Sequence, residues 1–337
     1  MVRTADSGVI VTRTPLRVSF AGGGTDLRDV YERDHGAVVS AAIDKYIYVT
    51  VKRHSRVFDE AVRINYSRSE TVDSIDGIEN GIARECLRFM EIEPPIYVST
   101  VGDLPASTGL GSSSAFAVGL LHALHAFRGE RVSAGQLAEE ASHIEIDVLK
   151  QPIGKQDQYA AAFGGLNMFR FMPGGSVTVE PQRVVNGHLH DLFASMLLFW
   201  TGHQRDAGHV LAEQKARTDE KLDELLRIRS HAYRLRQLIA DGHLEPATFA
   251  AVLDETWQVK RGLTSSISTR QIDDWYERAM RAGALGGKLC GAGGGGFLLI
   301  MAAPERHADV CAALGDLQVV PVNCAVHGSR VLFGPFD

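Results

Sequence analysis

Residues 111 to 127, GSSSAFAVGLLHALHAF, contain no charged side chain and would be apolar on nearly every face of a helix. A helix of that kind has to be enclosed on all sides, so the chain must build layers around it. Its 337 residues are enough for one large core or two domains. The approach to this helix is itself unusual: Pro105-Ala106-Ser107-Thr108-Gly109-Leu110-Gly111-Ser112-Ser113-Ser114. Glycines let another group come close to the backbone, and the start of a helix offers unpaired N–H groups with partial positive charge.

Together these features make a candidate anion site. The serine hydroxyls could bond phosphate oxygens or ligate Mg2+. A small-residue turn capped by serine is the plainer alternative. No Gly-Lys-Ser/Thr closes the run, so it is not a Walker loop. A second glycine run, Gly291 to Gly296, satisfies G-x-G-x-x-G literally. The dinucleotide fingerprint needs a strand before it and a helix after it, whereas here the pattern predicts a helix before and the strand Phe297 to Ala302 after. A tight turn or a loop lining a cleft fits better. In a third segment, Pro15 to Phe20 leads into Gly22-Gly23-Gly24 and then Thr25 and Asp26. A carboxylate beside such a backbone suits a polyol hydroxyl, or else caps the next helix.

The rest of the pattern predicts strands at Val9–Phe20, Ala42–Lys52, Ile96–Val101 and Ser195–Thr201. A capping box at Ser133 and Gln136 opens a helix ending before Pro152. One long helix is expected from about Val210 to Ala240, its Leu/Ile stripe facing the core or a second copy in a homodimer. Shorter helices are expected at Pro246–Val259 and Arg270–Ala282. Strands and helices mix in both halves. Turn signals at Pro173-Gly174-Gly175 and Asn186-Gly187 place a boundary between residues 1–185 and 186–337. The formal net charge of -6 and the lack of a Lys/Arg block argue against nucleic-acid or anionic-membrane partners. Cys86, Cys290, Cys311 and Cys324 form no C-x-x-C pair, and no apolar run is long enough to span a membrane, so the expectation is a cytoplasmic protein with reduced thiols. His122 and His125 lie three apart on the apolar helix and read as core or rim residues.

The three glycine segments, in this order, resemble the GHMP kinases, which pair an N-terminal Pro-x-Arg strand with a central Gly-Leu-Gly-Ser-Ser loop and a C-terminal glycine-rich loop. The resemblance covers nearly the whole chain. It implies an α+β fold: a ribosomal-protein-S5-like N-terminal ATP-binding domain, then a ferredoxin-like C-terminal domain, with the site between them. PLRVSFAGGGTDL, HGAVVSAAIDKYIYVTV, EEASHIEIDVLKQPIGKQDQYAAAFGGLN and FWTGHQRDA look like the branch acting on heptose 7-phosphate, with fucokinase-type domains nearby.

The implied chemistry is transfer of the terminal phosphoryl group of ATP to the anomeric hydroxyl of a sugar phosphate. Such transfer asks the protein for positioning, charge neutralisation and the handling of one proton. The resemblance assigns the phosphate cradle to Pro105, Gly109, Leu110, Gly111, Ser112, Ser113 and Ser114, with Gly293 closing over the nucleotide. Ser113 and Glu145 are the implied Mg2+ ligands. Asp157 would accept the proton, with Arg17 beside it and Lys155 pointing to the same cleft. Gly24, Thr25, Asp26, His35 and Gly294 would meet the sugar, and Lys45 and Arg205 any phosphate it carries. A non-catalytic ATP and sugar sensor is the alternative of another class; the presence of Arg17, Glu145 and Asp157 together speaks against it.

Overall fold

The computed structural model describes residues 8–184, 187–204 and 207–334. The apolar helix Ser112–Phe127 is buried along almost its entire length, as its composition requires. It lies across the two longest strands, β1 (Ile10–Ala21) and β2 (Gly36–Arg53). Contact with β1 is close because Gly119 has no side chain: a Cβ there would lie 2.7 Å from Thr14 Oγ1. The Thr12 hydroxyl donates to the Gly119 carbonyl at 2.8 Å.

Further strands are β3 (Val62–Asn65), β4 (Ser69–Val72), β5 (Ile96–Gly102), β6 (Leu166–Phe171), β7 (Val177–Pro181), β8 (Met196–Trp200), β9 (Gly286–Leu289), β10 (Phe297–Met301), β11 (Gln318–Val320) and β12 (Arg330–Phe333). Among the described residues they form two sheets, one ordered β12-β1-β2-β5-β3-β4 with β6 and β7 branching from β2, the other β11-β8-β10-β9. The last strand therefore returns to pair antiparallel with the first. Pro15, which has no N–H to donate, sits where the β1–β2 register shifts. Two residues later the Arg17 N–H leaves the ladder and bonds the Leu110 carbonyl at 3.0 Å, tying β1 to the loop before the central helix.

Several expectations need correction. The helix expected over 210–240 is two, Ala207–Ala216 and Leu222–Ala240. The five residues between them, RTDEK, offer nothing apolar to bury, and Arg217 pairs with Glu220 at 2.6 Å. No helix abuts the second glycine run; β9 does, so the run joins two antiparallel strands. GGKL lacks the β-branched pattern of a strand because β9 packs tightly: a Cβ on Gly286 would lie 2.3 Å from the Ala250 carbonyl oxygen. The helix opened by Ser133 is α-helical only over Ala134–Ser142 and continues as a π-helix, His143–Val148. Only half of the capping box forms: Ser133 Oγ accepts from Gln136 N at 3.1 Å, while the Gln136 side chain donates to Glu140. The boundary at 185/186 and Asn186 lie outside the described residues.

Candidate active site

Arg17 comes from β1, with its side chain 5% exposed. Its guanidinium makes a two-pronged contact with Asp157, Nε to Oδ1 at 2.7 Å and Nη2 to Oδ2 at 2.6 Å. A fork-to-carboxylate pair of this kind fixes direction as well as charge. The third Arg17 donor, Nη1, reaches the Gly109 carbonyl at 2.6 Å. Asp157 stands in the first turn of the helix Gln156–Phe163 and is 23% exposed, into the cleft. A Cβ added to Gly111, the residue before the central helix, would be 3.3 Å from Asp157 Oδ2. The carboxylate therefore faces the start of that helix directly.

The two glycine loops meet here. Gly109 and Gly291 both have positive φ, +82° and +71°, and a Cβ on Gly291 would lie 2.4 Å from Gly109 Cα. Only glycine satisfies both the conformation and the contact. Gly291→Ala is expected to leave the far-ultraviolet spectrum unchanged and lower kcat/KM by roughly tenfold or more, as steady-state kinetics will read, because the backbone must move at the meeting point.

Asp26 lies opposite, 3% exposed. It accepts from Gly24 N at 2.9 Å and from the N–H and side-chain amide of Gln156, both at 3.3 Å. Burial, helped by the Asp157 charge, raises its pKa. Gly154 lets this loop approach, since a Cβ there would be 2.0 Å from Asp26 Oδ2. Ser112, Ser113 and Ser114 line the same cleft. Glu145, in the π-helical turn, is fully buried behind them. π-turns re-aim side chains and recur at functional sites. Burial pushes the Glu145 carboxyl up to about 7, with Gln158 pulling back and the Asp157 charge adding to the rise. Glu145 Oε2 accepts from Gln158 at 2.7 Å. Glu145 Oε1 and Ser114 Oγ find no hydrogen-bond partner among the described residues. An orphaned buried carboxylate oxygen beside an orphaned hydroxyl fits a hard cation such as Mg2+.

The geometry thus joins a carboxylate held by an arginine, a helix start built of glycine and serine, and a pocket for a small polar molecule. The N-terminal domain of the GHMP kinases matches residues 80–165 and their C-terminal domain residues 244–314. A D-glycero-alpha-D-manno-heptose 7-phosphate kinase from Campylobacter jejuni is 30% identical over 319 residues, 90% of this chain and 93% of that protein. The chain belongs to the GHMP kinases. A mevalonate kinase from Methanothermobacter thermautotrophicus is 30% identical over 82% of this chain and 86% of that one. A crystal structure described as a D-glycero-D-manno-heptose 1-phosphate kinase from Bacteroides thetaiotaomicron superposes with a TM-score of 0.78 at 25% identity, covering 96% of this chain and 99% of the other. The kinase is an ATP-dependent phosphotransferase with the two-domain α+β fold of its family.

Of the residues expected at the site, Arg17, Gly24, Asp26, Gly109, Gly111, Ser112, Ser113, Ser114 and Asp157 line one cleft. Others do not. Lys155, expected to point into the cleft, turns away: its amine bonds Glu139 Oε2 at 2.9 Å and the Gly175 carbonyl at 2.9 Å. Gly154 and Gln156, on either side of it, line the cleft, and the side chain between them points the other way. Thr25 is fully buried, its hydroxyl spent on the Gly22 carbonyl at 2.8 Å and the Ala37 backbone. His35 is held by Asp34 at 2.9 Å and packs edge-on against Tyr233. Lys45 stays beside Asp44 at 3.4 Å. Pro105 and Leu110 shape the phosphate loop from outside the cleft: their carbonyls accept from Thr108 Oγ1 and Arg17 N. Gly293 and Gly294 pack on Ile267, and Gly291 and Ala292 line the cleft instead. Arg205 lies outside the described residues.

Sequence reasoning missed Ser19, Gln156, Gln214, Lys260 and Lys288, all in the cleft wall. Ser19 Oγ, Gln156 Oε1 and Gln214 Nε2 are buried without a partner among the described residues. Lys288 is legible afterwards as a charge inside a strand that is otherwise all buried. Lys260 looks like any cation in the last turn of a helix. Burial pulls its pKa down to about 8 and that of Lys288 down to about 7.

Proposed function

We propose that this kinase phosphorylates the anomeric hydroxyl of D-glycero-D-manno-heptose 7-phosphate, giving the 1,7-bisphosphate. The observation that carries the reading is the Arg17–Asp157 fork, set against the glycine turn that opens the central helix. In this reading the N–H groups at the start of Ser112–Phe127 hold the β- and γ-phosphates of ATP. The acceptor hydroxyl donates to Asp157; its oxygen forms the new bond to the γ-phosphorus as the bond to the β,γ-bridging oxygen breaks. ADP leaves with that electron pair and the hydroxyl proton passes to Asp157. Arg17 holds the carboxylate in line and faces the growing charge. Ser113 and Glu145 would hold Mg2+, which neutralises phosphate charge. Asp26, with the unpartnered polar atoms of Ser19, Gln156 and Gln214, offers donors and acceptors to sugar hydroxyls. The heptose preference rests on the likeness to the Campylobacter jejuni kinase.

The four free thiols suit a reducing compartment, and we place the reaction in the cytoplasm. No helix among the described residues is long and apolar enough to cross a membrane. A coupled ADP-release assay over heptose 7-phosphate, heptose, fucose, galactose and mevalonate tests the substrate. Heptose 7-phosphate is expected to give the highest kcat/KM; a higher value with any other acceptor overturns the assignment.

A further inference from the structure

The cleft wall supplied by the C-terminal half contains two buried amines, Lys260 at 7% exposure and Lys288 at 2%. Neither makes an ion pair with a carboxylate among the described residues. Lys260 Nζ donates to the Gly291 carbonyl. Lys288 Nζ donates to the Ser19 carbonyl at 2.6 Å and the Phe20 carbonyl at 3.3 Å, tying β9 to the end of β1. Burying an ammonium without a counter-ion is unfavourable, so an unpaired pair in a cleft wall marks a place where an anion is expected to bind. Of the two, Lys260 is fastened where the two glycine loops meet, at the Gly291 carbonyl beside Gly109, and the charges of Arg17, Asp26 and Asp157 act on it. Lys288 feels Lys260, Cys290 and Arg17.

We propose that Lys260 is a further catalytic residue, whose ammonium contacts the oxygens of the phosphoryl group in transfer, and that Lys288 positions it by fastening β9 and the following glycine loop to β1. The inference rests on the phosphotransfer reading above. As the γ-phosphorus passes from the bridging oxygen of ADP to the acceptor oxygen, charge spreads over its three remaining oxygens. Arg17 meets this charge from the N-terminal half; Lys260 meets it from the C-terminal half, across the Gly109–Gly291 contact. Burial lowers the Lys260 pKa only to about 8, so the amine keeps its proton at neutral pH, and an entering phosphate favours the charged form further.

Lys260→Gln decides the matter, since glutamine still offers a donor to the Gly291 carbonyl but no charge. The expected result is kcat lower by roughly 10²–10³-fold, with ADP affinity within a fewfold of wild type. 19F NMR adds a direct readout: ADP with magnesium fluoride gives a bound resonance in the wild type, and the variant shifts or loses it. A kcat within a fewfold of wild type, or an unchanged bound fluoride resonance, overturns the proposal and leaves Lys260 a support for the glycine loop. Lys260→Ala guards against a folding failure, because added ethylammonium is expected to restore part of its turnover; no rescue in a variant that still binds ADP counts against a charge role. Wild-type protein that binds ADP but transfers nothing to any acceptor would instead sink the phosphotransfer reading itself.

Discussion

Asp157→Asn is expected to lower turnover by roughly 10²–10⁴-fold while leaving ADP affinity within about a fewfold of wild type. Asparagine matches the shape of aspartate and can still accept one hydrogen bond from Arg17, but it cannot take the acceptor proton. In the proposed reading the nucleotide is held by other groups, the helix start at Ser112 and the glycine loops, none of which the change alters. The Arg17 guanidinium loses one arm of its fork, from Nε at 2.7 Å or Nη2 at 2.6 Å, and keeps its bond to the Gly109 carbonyl. Single-turnover phosphoryl transfer with saturating ATP, read beside ADP titration, checks both halves. An asparagine variant within tenfold of wild-type turnover would remove the base from Asp157.

The second large effect is a trade at Glu145. Glu145→Gln is expected to stabilise the metal-free protein at pH 8 while removing most of its Mg2+-dependent activity, a loss of several kcal/mol in transition-state stabilisation if the metal is held there. Burial raises this carboxyl from 4.5 to about 7. A group whose pKa is raised on folding supports the fold fully below its unfolded value, and that support disappears as pH climbs through the folded value. For Glu145 the window is from about pH 4.5 to about pH 7, and the whole change is on the order of 3 kcal/mol. Glutamine does not titrate, so the variant's advantage in melting temperature is expected to grow between about pH 5 and pH 8 and then level off. A stability difference that stays flat with pH would mean the carboxyl is not strained by its burial. Full activity in the variant at ordinary Mg2+ would take Glu145 out of the metal site.

Much of this site could be read from the residues because its chemistry depends on local sequence. Gly109, Gly111 and the serines announce a helix start open to an anion; the structure then supplies the facing carboxylate. Arg17 and Asp157 are 140 positions apart, and only the family pattern linked them before the fold placed Nε and Oδ1 in contact. The pattern failed where a residue's role depends on the direction of its side chain. Lys155 sits two positions before Asp157, yet the turn into the helix sends its amine to Glu139. Thr25 neighbours Asp26, yet its hydroxyl closes the glycine turn internally. Lys260 and Gln214 were invisible for the opposite reason: on a helix that also carries charged residues, a polar residue facing a cleft resembles one facing solvent. The break at 217–221 followed from a lack of apolar residues that a charged helix can hide. β9 escaped notice because glycines demanded by packing erased its strand pattern.

Direct transfer between two substrates bound in one cleft is tested by 31P NMR of the wild-type protein with ATP, Mg2+ and D-glycero-D-manno-heptose 7-phosphate. The γ-phosphate signal of ATP is expected to fade as a sugar-1-phosphate resonance, coupled to the anomeric proton, grows one-for-one with ADP. ATP consumed with only inorganic phosphate appearing, or a new phosphate on any other carbon, would contradict it.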